Sequence, residues 1–477
     1  MAAKRTATNS KMHILIGGIV SFAFVCVSYC IFSLIYAVQP TPYLDEAFHV
    51  PQANNYCKGL FKEWDQKITT LPGLYLLSVG ILKPLSWIPG GDFCGVYALR
   101  FINLMACFVN IFLLFALQRK LKQNKKDIVT FCSDLLSAIN LGTFPILYFF
   151  TFLYYTDTVS TTLVLLMYLL HLENCHVMAA ATGAVSVLVR QTNIIWVAFF
   201  GLLTAEQVFK KEIMQTRRRI SSNMESSIRY LQILLDTVMH IWRSGNSACL
   251  HFMFNLLREV YSYVGVCICF VIFVIVNGGI VVGDKEAHTA VINLPQLLYF
   301  SMFTTFFSFP YFIKYIYPFV KCVFRYKRKF LFCFLILCVI VYFNTHVHPY
   351  LLADNRHYTF YLWRRVYVRH FTVKYILLPV SMYGIFCIFH TLKQTTIIFQ
   401  LGYLVCVFLC LVPQKLLEFR YYILPFLLFR LQIVSKQWWQ LAFEFAVFSF
   451  LNAATISLFV TREFYWDDRS EVQRFLW

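Results

Sequence analysis

His13-Ile-Leu-Ile-Gly-Gly-Ile-Val-Ser-Phe-Ala-Phe-Val-Cys-Val-Ser-Tyr-Cys-Ile-Phe-Ser-Leu-Ile-Tyr36 contains no acid, lysine or arginine. As a helix it is long enough to cross the hydrocarbon core of a bilayer. Lys4, Arg5 and Lys11 precede it with no acid among them. A cleavable signal would show a shorter apolar core and a small-residue cleavage site. The segment is therefore read as a retained first span with a cytosolic N-terminus. Apolar blocks of similar length recur to the C-terminal end. Hydrophobic residues make up 59% of the chain and charged residues 14%, against about 25% charged in soluble domains. These features predict an all-α polytopic membrane protein with about 13 transmembrane helices. A net charge of +19 in a soluble protein would point to nucleic acid. Here it is assigned to basic cytosolic loops facing anionic headgroups, and no nucleic-acid partner is expected. The 50 Phe and 29 Tyr are read as lipid-facing bulk and interfacial rings, with a groove for an isoprenoid tail as the sharper alternative.

Charge parity orders the crossings. Residues 40–92 form a first non-cytosolic loop. Its apolar stretch 70–89, broken by Pro72, Gly73, Lys83 and Pro84, is read as an interfacial or re-entrant helix. A second crossing there would put the basic run from Arg119 to Lys126 on the wrong side. Residues 210–255 form a basic cytosolic loop, and 345–374 a second loop on the side of the first. Asp45, Asp157, Arg190, Asp354 to His357 and Lys415 to Arg420 then share one face. Arg364 and Arg365 fall on that face too, against the positive-inside trend. No internal repeat or second soluble domain is seen, so residues 1–477 are read as one integral-membrane domain. Cys57 and Cys94 can pair if the first loop faces an oxidising lumen. The other cysteines lie mostly singly in apolar segments, where they act as small hydrophobes. Neither zinc-ligand spacing nor a nucleotide-binding glycine loop occurs, and no metal or cofactor is expected. Asp467 and Asp468 have no partner ligand nearby and are read as an exposed tail.

The polar face gathers around Tyr43-Leu-Asp45-Glu46-Ala-Phe-His49-Val-Pro-Gln52, which holds the first acids of the chain. A carboxylate beside several fixed cations at a membrane suits one reaction. An acceptor hydroxyl loses its proton to the carboxylate. Arg, Lys or His binds a lipid phosphate as it leaves a sugar carbon. Plainer roles exist for each group. Asp45 and Glu46 can cap a loop, Arg190 can snorkel, and Asp354-Asn355-Arg356-His357 can be a turn closed by an internal ion pair. Lys415 and Glu418 can pair along one helical face. A channel-associated subunit or transporter is the competing class. Such proteins place ionisable groups near the bilayer midplane, whereas these lie at span ends.

Several ordered stretches resemble one family. They include Tyr43 to Gln52, Ile68 to Tyr75, Arg190-Gln-Thr-Asn-Ile-Ile-Trp196 and Val276-Asn-Gly-Gly-Ile280. The closest are Leu351-Leu-Ala-Asp-Asn-Arg-His-Tyr-Thr-Phe-Tyr361 and Pro413-Gln-Lys-Leu-Leu-Glu-Phe-Arg-Tyr421. Together they are similar to the endoplasmic-reticulum α-1,2-glucosyltransferases of asparagine-linked glycosylation. The resemblance implies a GT-C type glycosyltransferase fold in the endoplasmic reticulum membrane, with a luminal site. It implies a dolichyl-phosphate glucose donor and a diglucosylated dolichyl-diphosphate oligosaccharide acceptor. A β-linked donor and an α-linked product imply a single inverting displacement. Asp45 takes the place of the catalytic carboxylate, and Glu46, the second acid of the catalytic pair, is expected to position the acceptor instead of taking the proton. Arg356, His357, Arg190, Lys415 and Arg420 are the expected donor-phosphate ligands. His49, Gln52, Tyr155, Asp354 and Glu418 are expected to position the acceptor or the other groups. The Lys415 to Tyr421 run departs from the His-Lys-Glu-x-Arg-Phe motif of related mannosyltransferases. It has Gln414 in the His position and an extra residue before Glu418, so its location carries over better than its contacts.

Overall fold

A computed structural model of the chain describes residues 2–85, 93–122, 127–216, 227–285, 289–433, 437–467 and 469–477. The apolar blocks fold as helices. First come α1 (Ala2–Val38), α2 (Glu46–Cys57), α3 (Gly73–Leu85), α4 (Val96–Leu121) and α5 (Ile128–Gly142). Next are α6 (Pro145–Phe150), α7 (Thr156–Leu172), α8 (His176–Val189), α9 (Ile194–Thr216), α10 (Ser227–Arg243) and α11 (Asn246–Asn277). Then follow α12 (Pro295–Phe307), α13 (Phe309–Phe312), α14 (Ile316–Arg325) and α15 (Lys327–Phe343). Three short pieces, α16 (Pro349–Ala353), α17 (Tyr358–Tyr361) and α18 (Val373–Ile376), precede α19 (Leu378–Leu392), α20 (Ile397–Leu411), α21 (Ile423–Leu431) and α22 (Trp438–Thr461). Among the described residues, six helices are long and apolar enough to cross a membrane, and shorter apolar helices pack among them. The chain is a multi-pass membrane protein.

Two apolar blocks long enough to read as single spans, 129–150 and 294–317, are each broken. The block 129–150 divides at Thr143 and Phe144, because Pro145 starts a new helix at its first turn. The block 294–317 divides at Ser308, two residues before Pro310. The expected helix at 70–89 is present as α3 to Leu85, and positions 86–89 lie outside the described residues. Its 13 residues rise only about 20 Å, short of a hydrocarbon core. Residues 210–255 are mostly helical where a loop was expected, with Arg217, Arg218 and Arg219 outside the described residues. In α10, Tyr230, Thr237 and Ile241 are buried at helical spacing, and Ile241 packs with Val208 and Phe252.

Many of the Phe residues fill the core instead of facing lipid. Phe144 stacks on Phe426 at 4.7 Å and meets Phe303, Phe307 and Phe448 edge-on. Such offset and edge contacts supply packing energy where lipid tails offer no hydrophobic drive between helices. One buried ion pair ties α21 to α22. Arg430 donates to both oxygens of Glu444 at 2.7 and 2.8 Å, with both side chains fully buried. Tyr311 and Asn140 donate to the same carboxylate.

The C-terminal end corrects the reading of an exposed tail. Strands β1 (Glu463–Trp466) and β2 (Arg469–Arg474) pair antiparallel, Glu463 opposite Arg474 and Trp466 opposite Arg469. Asp467 is exposed beside the turn, while Asp468 lies outside the described residues. Leu476, however, is fully buried and pairs through its backbone with Arg356 and Tyr358. Aromatic and apolar residues at 472, 475, 476 and 477 give this end something to bury, which the acidic pair alone did not reveal.

Candidate active site

Asp45 sits at the N-terminal cap position of α2, yet its side chain makes no cap hydrogen bond. Leu44 before it has φ of +53°, a left-handed conformation that a branched residue adopts only when its surroundings hold it. Two contacts hold this turn. The Tyr43 amide donates to Glu46 at 2.9 Å, and the Asp45 amide donates to the Tyr155 hydroxyl at 3.2 Å. The Asp45 carboxylate is left 45% exposed on the wall of a cavity of about 1180 Å³. Arg356, His357, Glu418 and Arg420 line the same cavity, with the β-hairpin closing one side through Trp466, Gln473 and Arg474. Stretches more than 300 positions apart in the chain therefore meet at one cavity.

Arg420 is the hub. It donates to Asp45 at 3.1 Å, pairs with Glu418, and lies 3.7 Å from Asp157. Its guanidinium rests 5.0 Å from the Tyr155 ring centre and 5.1 Å from that of Phe150. Partial loss of water inside the cavity raises the Asp45 pKa, but the attraction of Arg420, with His49 and His357, outweighs it and holds the carboxyl below its ordinary value. Burial also works against the charge of Arg420, and its carboxylates outweigh that, Glu418 first.

In the lining of the same cavity Arg356 grips Asp354 with two donors at 2.7 and 2.8 Å and reaches Gln473 at 2.9 Å. The Trp466 ring lies 4.6 Å from its guanidinium carbon. Burial raises the Asp354 pKa, and Arg356 and His357 more than offset this, so it too lies below the ordinary value. His357 Nδ1 is 2.8 Å from the main-chain oxygen of Trp477. That oxygen can only accept, so Nδ1 carries the proton. Nε2 then faces Asp354 at 3.9 Å.

Other expected residues are placed differently. Glu46 is fully buried and closed off. It pairs with Arg100 at 2.6 and 2.8 Å and accepts from the amides of Tyr43 and Tyr154 at 2.9 and 2.5 Å. It is not among the residues lining the cavity. Gln52 uses both ends of its amide on the loop after α2, donating to Glu63 and accepting from Asp65. Arg190 pairs with buried Asp157 behind Arg420, beside a cavity of about 50 Å³. Lys415 is half-buried and lines neither cavity. His49 is bonded to the Tyr75 hydroxyl at 2.5 Å. Burial pushes its imidazole below the ordinary value, more than Asp45 pulls it up.

Arg100 was missed, although a lone arginine just inside an apolar span is a signal for a partnered charge. Asn103 was missed as well. It donates to the carbonyls of Leu153 and Tyr155 and so fixes the turn under Arg420. The Cys57–Cys94 disulfide ties the last residue of α2 to the chain just before α4 and closes the loop that carries α3. Gly73 brings α3 against the end of α8. A Cβ there would stand 2.4 Å from the Leu188 backbone, so only glycine permits this approach beside Arg190.

The fold and the site together define a polytopic membrane enzyme with a carboxylate and arginines around one cavity. The chain belongs to the DIE2/ALG10 family, whose model matches residues 39–431. A mouse relative is 40% identical over 94% of this chain and 96% of its own length. A rat relative is 39% identical over the same shares, and a Drosophila melanogaster relative is 37% identical over 91% and 93%. Each is named a Dol-P-Glc:Glc(2)Man(9)GlcNAc(2)-PP-Dol alpha-1,2-glucosyltransferase. No solved structure matches the chain.

Proposed function

We propose that this protein transfers glucose from dolichyl-phosphate glucose, in α-1,2 linkage, onto a diglucosylated dolichyl-diphosphate oligosaccharide. Asp45 carries the reading. Its carboxylate is the most accessible of the acids that the parity argument grouped, at 45% against 20% for Asp354, 9% for Glu418 and 1% for Asp157. The acceptor hydroxyl gives its proton to Asp45 as its oxygen attacks C1 of glucose. The C1–O bond to phosphate breaks, and its electron pair leaves on the phosphate oxygen. Arg420, Arg356 and His357 hold that phosphate and stabilise its growing charge. One displacement by one base inverts the β-linked donor to the α-linked product. Glu46 shapes the loop through Arg100, Gln52 fixes the turn beyond α2, and Arg190 braces Arg420 through Asp157. The Cys57–Cys94 pair fits a first loop in an oxidising lumen, with the site on that face of the endoplasmic reticulum membrane.

The test is transfer by detergent-purified protein with that donor and acceptor, comparing wild type with Asp45→Asn. Transfer by wild type that disappears in a folded variant is the expected result. Equal transfer by both would remove Asp45 as the base. Absence of transfer by wild type, with substrates validated on another preparation, would remove the activity.

A further inference from the structure

Arg100, Arg190, Arg356 and Arg420 each pair with at least one carboxylate. Arg364, Arg365 and Arg369 do not: among the described residues no carboxylate lies within ion-pair distance of them. Nor does the sequence offer a local partner, because no acid occurs between Asp354 and Glu418. The three arginines are exposed and line a further cavity of about 510 Å³ together with Phe360 and Tyr361. Arg364 lies over the Phe360 ring at 5.7 Å and Arg365 over Tyr361 at 5.2 Å, which holds their forks in place. Exposed Leu362, Val366, Val368 and Phe371 alternate with them. Cations interleaved with bare apolar side chains suit a ligand with a phosphate head and a hydrocarbon tail.

This cavity adjoins the large one. Thr359 lines the large cavity while Phe360 and Tyr361 line the small one, so both flank α17. Tyr361 also contacts Phe475, next to Arg474 on the large cavity's wall. A transferase with two lipid-linked substrates needs two phosphate sites. The donor phosphate adjoins the reacting carbon and belongs beside Asp45. The acceptor's reacting hydroxyl is at the far tip of its glycan, so its diphosphate belongs outside that cavity. Three uncompensated guanidinium groups suit the several oxygens of a diphosphate better than a single phosphate diester.

We propose that Arg364, Arg365 and Arg369 form a second lipid-phosphate site, which holds the diphosphate of the polyprenyl-linked acceptor. The assignment of the occupant rests on the glucosyltransferase reading. The test uses the full chain in nanodiscs, wild type beside a variant carrying Arg364→Gln, Arg365→Gln and Arg369→Gln. Loss of charge-assisted bonds should raise the acceptor KM about tenfold or more and leave the donor KM unmoved, with lysines at the same positions restoring part of the loss. A second arm measures retention of a short synthetic dolichyl-diphosphate chitobiose without donor, and it reads binding even if no transfer occurs. Retention lost in a variant that melts like wild type supports the site. Equal retention and equal acceptor KM overturn it. If wild type shows the same defect in purely neutral phosphatidylcholine, and anionic phospholipid restores it only when the arginines are present, the occupant is bulk phospholipid and the proposal also fails.

Discussion

Asp45 and Glu46 are adjacent acids, and the proposed mechanism gives them opposite jobs. In Glu46→Gln, Arg100 keeps its charge at a fully buried position and loses a two-bond partner. Breaking such a pair costs about 3–5 kcal/mol. Weakening the bonds to the Tyr43 and Tyr154 amides adds about 1 kcal/mol or more. Marginal stability makes that a large share of the total. Asp45→Asn disturbs a pair whose acid is 45% exposed, which is worth about 1 kcal/mol or less. It removes the base, however, at about 10²–10⁴-fold in turnover. Thermal unfolding in detergent and transfer per folded molecule separate the two. Glu46→Gln should melt well below wild type while its folded fraction still turns over. Asp45→Asn should melt near wild type and turn over poorly. A Glu46→Gln protein with wild-type melting and lost turnover would refute this division of labour, as would an active Asp45→Asn.

Arg420→Gln should lower turnover about 10²–10³-fold, the usual effect of one lost transition-state donor, and kinetics within threefold of wild type would count against its role. The same variant tests the pH profile. Arg420 attraction holds Asp45 ionised below the ordinary carboxylate range, so wild-type transfer should persist as pH falls and drop only when the lowered value is crossed. Without Arg420 the burial effect remains, and the acid limb should move toward neutral pH. An unmoved limb would break the link. Replacing Cys57 and Cys94 by serine opens a loop with a sequence separation of 37, costing about 4 kcal/mol in the chain-entropy account. Melting and a non-reducing gel check it. Gly73→Val should cost about 1–3 kcal/mol by overpacking α3 on α8, and mobility of Arg190 should lower transfer.

Membrane character was legible from residues 13–36 and their repeats, because a bilayer demands apolar runs of fixed length. Asp45, Asp354, Arg356 and Arg420 could be picked out as one group of candidates, since charge parity sorts loops without any contact map, but parity does not say that they line one cavity. Helix breaks at Pro145 and Pro310 were available in the sequence but were absorbed into apolar blocks. Helix α10 was hidden under its positive charges, although Tyr230, Thr237 and Ile241 keep a helical spacing.

The sequence by itself determined the solvent of this protein and where its charges cluster along the chain. Hydropathy and charge are local properties, summed along the chain without regard to partners. Only the tertiary structure separated Asp45 from Glu46, enlisted Arg100 from the next long helix, and folded Gln473 to Trp477 over the cavity. Those outcomes depend on which groups meet across long stretches of chain, and a buried charge takes its role from the partner that neutralises it.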